Sequence, residues 1–265
     1  MSSNRQPMGS FQPRLTPAVR GLLFTYIAVF VAQLSFTRFS SIQLEPIFGF
    51  VPTDFVHGSF WQFLTYPFLH GSLTHLFFNA VALYMFGTEL EARWGTNKFL
   101  RYYAVCATGG AFLQMLAWGV ALLVSPEWAS FLGNTPVIGA SGALYGLLMA
   151  FGVLYGDSMM LFMLIIPMKV RQAVVLFFFV EIFSFVFYSG PGFGGGVAHL
   201  VHLGGLITGF LYLRLMGGNL DGGGGGLFRK KKMSREEARR RLSLVVNNED
   251  DKKNTKDGKY PVTWN

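Results

Sequence analysis

The sequence has little charge and little cysteine, and each shortage excludes a class of protein. Asp, Glu, Lys and Arg make up 14% of its 265 residues, whereas 51% are hydrophobic and the mean hydropathy is +0.39. Soluble domains carry about 25% charged residues, so an ordinary soluble domain is excluded. The single cysteine, Cys106, excludes an intramolecular disulfide and a cysteine metal cluster. The composition predicts a membrane protein with several spanning helices.

Several motifs are also absent. No His-Glu-x-x-His sequence is present, which argues against a zinc protease of that type. The Gly-x-Ser-x-Gly elbow of α/β-hydrolases is not matched around Ser141, because Ala143 occupies its last position. Residues 1–16 contain no apolar core followed by a cleavage site, so we expect a disordered cytoplasmic tail and no removable signal.

The net charge of +8 is concentrated at the end of the chain. Of 22 Lys and Arg residues, 12 follow Gly218, and most others flank apolar runs. This distribution fits the positive-inside rule of membrane proteins better than nucleic-acid binding. We expect residues 17–216 to form the membrane core. Residues 217–265 are predicted to form a glycine-rich linker and a basic cytoplasmic tail on an anionic leaflet.

Apolar runs predict an all-α membrane protein with six spanning helices, at about 17–36, 63–87, 99–124, 141–156, 172–188 and 197–216. Residues 37–62 are rich in aromatics and broken by Pro46 and Pro52, which predicts an interfacial loop between the first two helices. Residues 125–137 are expected to form a loop. The apolar patch 159–166 is too short to span and is expected to be re-entrant or interfacial.

The orientation follows from the positive charges on alternate sides of these six helices. One side holds both ends of the chain, the 88–101 turn and the 157–171 loop, whereas the other holds only Arg38. Both termini are therefore expected in the cytoplasm. The outer half of the membrane can then bring together Ser141, His202, His75 and Asn79. We expect this membrane to be the inner membrane of a prokaryotic cell.

A lone serine lies between glycines in the stretch Val137-Ile-Gly-Ala-Ser-Gly-Ala-Leu-Tyr-Gly146. At the N-terminus of a helix, free N–H groups and the helix dipole favour negative charge, such as the oxyanion of an attacked carbonyl. Alternatively, Gly142 and Gly146 form a GxxxG pair whose small residues serve only close helix packing.

Two other helices carry polar residues at helical spacing. His75 and Asn79 lie four residues apart and share one face, as a functional pair or as an interhelical hydrogen bond. His202 shares a stripe with Gly205 and Gly209, and this stripe can pack closely against the serine helix. His199 competes with His202 as a base but is expected on a different face. Glu181 is the acidic residue that lies well within a predicted helix, and it has no evident place beside a Ser-His pair.

Together these residues resemble the rhomboid family of intramembrane serine proteases. The matching pieces are His70-Gly-Ser-Leu-Thr-His75-Leu-Phe-Phe-Asn79, Glu91-Ala-Arg93-Trp-Gly95, Gly139-Ala-Ser141-Gly142 with Tyr145, and His202 with Gly205 and Gly209. They extend over essentially the whole predicted membrane core. One departure is Trp61-Gln62, where many members have Trp-Arg, and it puts the anchoring of the interfacial loop in doubt.

The resemblance implies a rhomboid-like bundle with Ser141 as nucleophile and His202 as general base, a dyad without a third carboxylate. His75, Asn79 and the Ser141 N–H would form the oxyanion hole. Tyr145 would pack on the His202 ring, and Gly139 would permit backbone approach near the oxyanion. His70, Gly205 and Gly209 would support the site. The substrates would be single-span membrane proteins, cleaved after a small residue where the helix unwinds.

Two other functions remain open from the residues. The first is a catalytically inactive relative that binds transmembrane clients. The second is a transporter or metal-binding membrane protein that uses His75, His199 and His202. The first is disfavoured because the predicted dyad and both side-chain oxyanion donors are present. The second is disfavoured because intramembrane acids are scarce. We therefore expect neither a cofactor nor a metal, and partners limited to membrane-protein substrates and the lipid bilayer.

Overall fold

The computed structural model describes residues 15–162, 165–191, 193–194 and 196–220. Of the tails predicted at 1–16 and 217–265, residues 1–14 and 221–265 lie outside the described residues, and the last helix continues to Leu220 where a linker was expected from 217. Within the described residues, four helices are long and apolar enough to cross a membrane: α1 (Pro17–Ser40), α7 (Thr96–Val124), α10 (Val170–Tyr188) and α11 (Val197–Leu220, with the apolar span at Val197–Leu215). The helix that begins with the serine, α9 (Ser141–Tyr155), is shorter and apolar.

The second predicted helix begins later than expected. The structure has α5 (Leu73–Ala82), a π-helical turn (Leu83–Gly87) and α6 (Thr88–Trp94) in unbroken succession. Residues Tyr66–Phe68 form a separate 3₁₀ turn, and the backbone is extended at Leu69 and again at Ser72. The Ser72 hydroxyl accepts a hydrogen bond from the His75 backbone N–H at 3.0 Å, so the helix starts at this cap and not at residue 63.

Three short helices connect α1 to α5: α2 (Glu45–Phe48), α3 (Pro52–Val56) and α4 (Gln62–Thr65). Gln62 is buried and anchors this segment, because its Oε1 accepts the Val51 N–H at 3.0 Å. The neighbouring Trp61 indole donates to the Ile47 carbonyl at 2.9 Å. Gln62 therefore anchors the loop at the position where many members of the family that the sequence resembles have an arginine.

Two segments differ from their predicted conformation. The expected loop at 125–137 contains helix α8 (Pro126–Asn134), which Ser125 caps by accepting the Trp128 N–H at 3.4 Å. The patch at 159–166 belongs to an antiparallel hairpin of β1 (Met159–Phe162) and β2 (Ile166–Lys169). A second small hairpin joins β3 (Ser189–Gly190) to β4 (Phe193–Gly194). The part of the chain that the structure describes thus carries two short antiparallel strand pairs among its helices.

The charged 88–101 turn contains a buried carboxylate. Glu91 is buried and accepts the N–H groups of Ala18 and Val19 at 2.9 and 3.0 Å. It also accepts the Thr96 hydroxyl at 2.6 Å. Burial raises the pKa of the Glu91 carboxyl, but these hydrogen bonds lower it further, so the net pKa lies below its usual value. Glu91 therefore caps α1 and ties it to α6 and α7.

Helix α9 is surrounded by other helices. Its residues Leu144, Leu147 and Ala150 are buried in the main hydrophobic cluster together with Tyr102 of α7 and Leu213 of α11. Leu148 packs with Val174 of α10 and Leu206 of α11 in a second cluster. Because α9 is packed on several sides, its first residue, Ser141, has a fixed position relative to α10 and α11.

Candidate active site

The backbone before Ser141 is held in a conformation that requires glycine. Gly139 has a φ of +109°, and a Cβ built on it would lie 2.6 Å from the His75 ring. Its N–H donates to the Tyr66 carbonyl at 2.9 Å. Just upstream, Val137 and Phe50 form an isolated antiparallel β-bridge. These bonds fix the chain immediately before α9, which begins with Ser141.

Helices α9 and α11 approach each other through the glycine faces identified in the sequence. A Cβ on Gly205 would lie 1.9 Å from the Gly142 carbonyl oxygen, and one on Gly209 would lie 3.1 Å from Gly146 Cα. This close approach brings His202 Nε2 to 2.6 Å from Ser141 Oγ, which is hydrogen-bonding distance. Two side chains 61 residues apart in the chain therefore form one Ser-His pair.

Tyr145, one turn after Ser141, lies flat against His202. The two ring centroids are 4.3 Å apart, and the ring planes differ by 8°. A parallel contact of this kind restricts rotation of the imidazole about its side-chain bonds. The stacked tyrosine therefore holds the His202 ring in the plane from which it reaches Ser141.

His75 and Asn79 face the turn that precedes Ser141. Both would contact a Cβ on Gly139, His75 at 2.6 Å and Asn79 Nδ2 at 3.6 Å. Asn79 Nδ2 is buried and has no hydrogen-bond partner among the described residues. The Gly71 N–H points to His75 Nδ1 at the long distance of 3.5 Å, which favours the tautomer that carries its proton on Nε2. Two N–H donors thus face one space beside the serine.

His70 lies behind His75 in the protein interior. It is almost fully buried, and its ring centroid is 5.2 Å from that of His75 and 5.1 Å from that of Tyr26. Its backbone N–H donates to Gln33 Oε1 at 3.0 Å. His70 therefore contacts the His75 ring on the side of α1 and has no contact with Ser141 or His202 in the part of the chain described.

The sequence-based prediction for Glu181 is wrong. This buried carboxylate on α10 accepts a hydrogen bond from Tyr145 through Oε1, and its Oε2 lies 2.6 Å from His199 Nδ1. Its Oε1 is also 3.0 Å from His202 Nδ1, within ion-pair distance but off the line of a hydrogen bond. His199 was expected to lie apart from His202, yet both imidazoles face this one carboxylate.

Among the described residues, the side chains that could hold a metal ion are Glu181, His199 and His202. The ligand atoms of Glu181, His199 and His202 lie within 4.8 Å of one another. Two ligands of a tetrahedral zinc ion are about 3.3 Å apart, given metal–ligand bonds of about 2.0 Å. The observed separations of 2.6 and 3.0 Å are hydrogen-bond and ion-pair distances, so this arrangement fits direct contact of the side chains better than a shared ion.

A mostly apolar cleft of about 390 Å³ opens beside the Ser-His pair. Its lining includes Phe77 and Phe78 of α5, Ser141 and Tyr145 of α9, and Phe177 of α10. Asn79 also faces the cleft. An extended apolar segment placed between α5 and α10 would therefore meet the serine hydroxyl and the Asn79 amide together.

Comparison with known proteins points to one family. A family model described as "Rhomboid domain" matches residues 57–219. RHOMBOID-like protein 4 of Arabidopsis thaliana is 30% identical over 65% of this chain and 38% of its own length. Rhomboid protease GluP of Bacillus subtilis (strain 168) is 26% identical over 73% of the chain and 35% of its own. Rhomboid protease AarA of Providencia stuartii is 30% identical over 58% of the chain and 55% of its own length.

These matches span about a third to a little over half of the relatives' own lengths. The matched residues 57–219 nonetheless contain Ser141, His202, Glu181 and the other side chains of the site. Together with the four apolar helices, they identify a multi-pass integral membrane protein. The family model extends over more than half of the chain, and the chain therefore belongs to the rhomboid family.

Proposed function

We propose that the protein is an intramembrane serine endopeptidase that hydrolyses peptide bonds in or near the transmembrane segments of other membrane proteins. The observation that carries this proposal is the 2.6 Å distance between Ser141 Oγ and His202 Nε2. A serine hydroxyl is a weak nucleophile unless a neighbouring base accepts its proton. The relatives named as rhomboid proteases support the same reaction.

In the proposed reaction, Ser141 Oγ attacks the substrate carbonyl carbon while its proton passes to His202 Nε2. The tetrahedral intermediate then collapses, and His202 donates this proton to the leaving amine as the C–N bond breaks. A water molecule attacks the resulting ester with His202 again accepting the proton. The second tetrahedral intermediate releases the new carboxyl group and returns the proton to Ser141 Oγ.

The negative oxygen of each tetrahedral intermediate needs hydrogen-bond donors. We assign this role to the Asn79 amide, the His75 imidazole and the Ser141 backbone N–H. The buried and unpartnered Asn79 Nδ2 supports the assignment, since a donor without a protein partner is available to a bound oxyanion. The N-terminal position of Ser141 in α9 also favours negative charge at this place.

The proposed topology has six membrane crossings, formed by α1, α5 with its π-helical turn, α7, α9, α10 and α11. The second crossing ends at Gly87, before the charged 88–101 turn that contains α6. Short α9 starts below the outer surface, because its 15 residues measure about 22 Å against a hydrocarbon core of about 30 Å. The cytoplasmic placement of both termini and the prokaryotic inner membrane stay predictions.

The proposed substrate is a single-span membrane protein whose helix opens near its outer end. A carbonyl inside an intact helix is shielded by hydrogen bonding and by neighbouring side chains, so helix-breaking residues near the cleavage site are expected. The cleft between α5 and α10 supplies an apolar path from lipid to Ser141. We expect cleavage after a small residue, as in the family that the sequence resembles.

A fluorophosphonate probe tests the proposal directly, because it phosphonylates only an activated serine. The purified protein in lipid vesicles should react, peptide mapping should locate the adduct on Ser141, and Ser141→Ala should abolish labelling. Ser130→Ala is the matched control, since this serine lies on α8 away from the site. A folded wild-type protein that does not react would instead favour an inactive binder of transmembrane clients.

A further inference from the structure

We propose that Glu181 is the positioning carboxylate of a Ser141–His202–Glu181 triad, in place of a dyad without a third member. This inference rests on the proposed function, because it assigns Glu181 a part in the same reaction. Its basis is geometric: Glu181 Oε1 lies 3.0 Å from His202 Nδ1, while His202 Nε2 lies 2.6 Å from Ser141 Oγ. The three groups therefore lie in sequence across α10, α11 and α9.

The carboxylate is held firmly from two sides. Tyr145 donates to Oε1, and His199 Nδ1 lies 2.6 Å from Oε2. The Glu181 side chain is 5% exposed, so its charge is poorly screened by water. Tyr145 also stacks on His202, which means that one tyrosine orients both the base and the carboxylate. His199, the former competitor for the role of base, is thereby assigned to holding Glu181.

The chemical consequence concerns the protons of His202. An ionised carboxylate only accepts hydrogen bonds, so it favours the tautomer with a proton on Nδ1 and leaves Nε2 to accept the Ser141 proton. When His202 becomes charged during the reaction, the negative charge 3.0 Å away stabilises it. The 3.0 Å separation is an ion-pair contact and not an aligned hydrogen bond, so the proposed effect of Glu181 on His202 is electrostatic.

The other groups that face His202 are few in the described structure. Tyr145 of α9 and His199 of α11 touch the carboxylate, and the His75 ring of α5 lies beside Gly139, two residues before Ser141. Among these described groups Glu181 is the acidic one, so it is the group whose charge favours protonated His202. Removal of this charge should make the imidazole lose its proton more readily.

The test compares Glu181→Gln with wild type in lipid vesicles, using the second-order rate of fluorophosphonate labelling from pH 4.5 to 9. We expect the rate at neutral pH to fall at least about tenfold, as expected when a triad carboxylate is neutralised. We also expect the acid limb of the profile to move to lower pH by about one unit or more. A rate within twofold of wild type, or a lower rate with an unmoved acid limb, would overturn the inference.

Glu89→Gln is the matched control. Glu89 Oε1 accepts a hydrogen bond from the Tyr155 hydroxyl at 3.0 Å at the opposite end of α9, so this variant also neutralises a carboxylate that contacts a tyrosine. Its labelling rate and acid limb should equal those of wild type. The conservative Glu181→Asp keeps the charge and should keep the acid limb near the wild-type position even if its rate falls. An acid limb in Glu181→Asp that moves as far as in Glu181→Gln would also overturn the inference.

The outcomes separate this inference from the proposed function. A folded wild type that is not labelled contradicts the serine protease itself, whereas labelled wild type with an indifferent Glu181→Gln contradicts only the triad. If Glu181→Gln does not fold, ¹⁵N-histidine NMR of the wild type decides the question. A proton on His202 Nδ1 in the neutral ring supports the triad, and a proton on Nε2 overturns it.

Discussion

Asn79 has a buried amide nitrogen without a hydrogen-bond partner among the described groups, and such a group normally costs stability. If it serves the oxyanion, Asn79→Ala should lower the rate of substrate cleavage by about 10² to 10³-fold. The thermal unfolding midpoint should stay equal or rise, since an unpaired donor is removed. Cleavage assays beside thermal unfolding of the same preparations measure both effects.

Gln114→Ala is the control for Asn79→Ala. The Gln114 amide is also buried, but it donates to the Leu132 carbonyl at 2.8 Å and lies on α7. Its removal should cost about 1–3 kcal/mol of unfolding free energy and leave the cleavage rate within about threefold of wild type. Equal activity of Asn79→Ala and wild type would contradict the assigned oxyanion role.

Substitution of Gly139 tests whether the chain before Ser141 must approach His75 closely. Gly139→Ala introduces both a strained φ and a Cβ 2.6 Å from the His75 ring, so we expect loss of at least about 10²-fold in activity. Gly58→Ala shares the strain, with φ of +112°, but its Cβ would meet nothing within 4 Å. That control should cost about 1 kcal/mol of stability and no activity. Similar activity in the two variants would contradict the claim.

The residues of the site could largely be found from sequence, with one exception. Ser141, His202, His75 and Asn79 lie at helical spacings beside glycines, and a glycine stripe marks the face that packs. Glu181 could not be placed, because α10 is rich in phenylalanine on every side and its sequence does not specify which face points inward. A single buried acid in such a helix was the available signal.

At the scale of elements, Glu91 predicts a pH dependence of folding. Its pKa is lowered in the folded protein, so the stability that it contributes is present above its unfolded value of about 4.5 and is lost as pH falls. Glu91→Gln should lower the unfolding free energy by about 1.5–3 kcal/mol at pH 7. Unfolding of both proteins in detergent at several pH values should show this difference shrinking below about pH 4.5.

Glu127→Gln is the control for this experiment, because Glu127 is an exposed carboxyl in the first turn of α8. Its stability should stay within about 0.5 kcal/mol of wild type at every pH. A difference between wild type and Glu91→Gln that stays constant from pH 7 to pH 3 would contradict the role of the Glu91 carboxylate as the cap of α1.

The long apolar helices were predictable, whereas the pieces between them were not. Runs such as Pro17–Ser40 and Thr96–Val124 need only length and composition to be recognised. Helix α8 depends on the Ser125 cap and a proline at its start, signals that a polar loop also contains. The β1–β2 hairpin forms from an apolar patch too short to distinguish strand from helix by its pattern.

At the scale of the whole molecule, we expect α10 and the glycine-rich turn before α11 to move when a substrate enters the cleft. Phe78 of α5 and Phe177 of α10 line this cleft on different helices. Cysteines at both positions, joined by a reducible bifunctional reagent, should block cleavage of a transmembrane substrate while the small fluorophosphonate still labels Ser141. Reduction of the linker should restore cleavage.

The single-cysteine variants treated with the same reagent are the controls for this experiment, and the native Cys106 is buried and does not compete. Unchanged cleavage by the cross-linked protein would show that substrates reach Ser141 by another route. Loss of probe labelling together with cleavage would show that the cross-link damages the site itself instead of blocking substrate entry.

The most direct measurement of the central claim is cleavage of a helix-unstable single-span substrate by the purified protein in lipid vesicles. Wild type is compared with Ser141→Ala, His202→Ala and the distant Ser130→Ala, after each is shown to be folded by thermal unfolding. We predict one defined cut near the outer end of the substrate helix for wild type and Ser130→Ala, and rates at least about 10³-fold lower for the two site variants. Undiminished cleavage by folded Ser141→Ala would contradict the account.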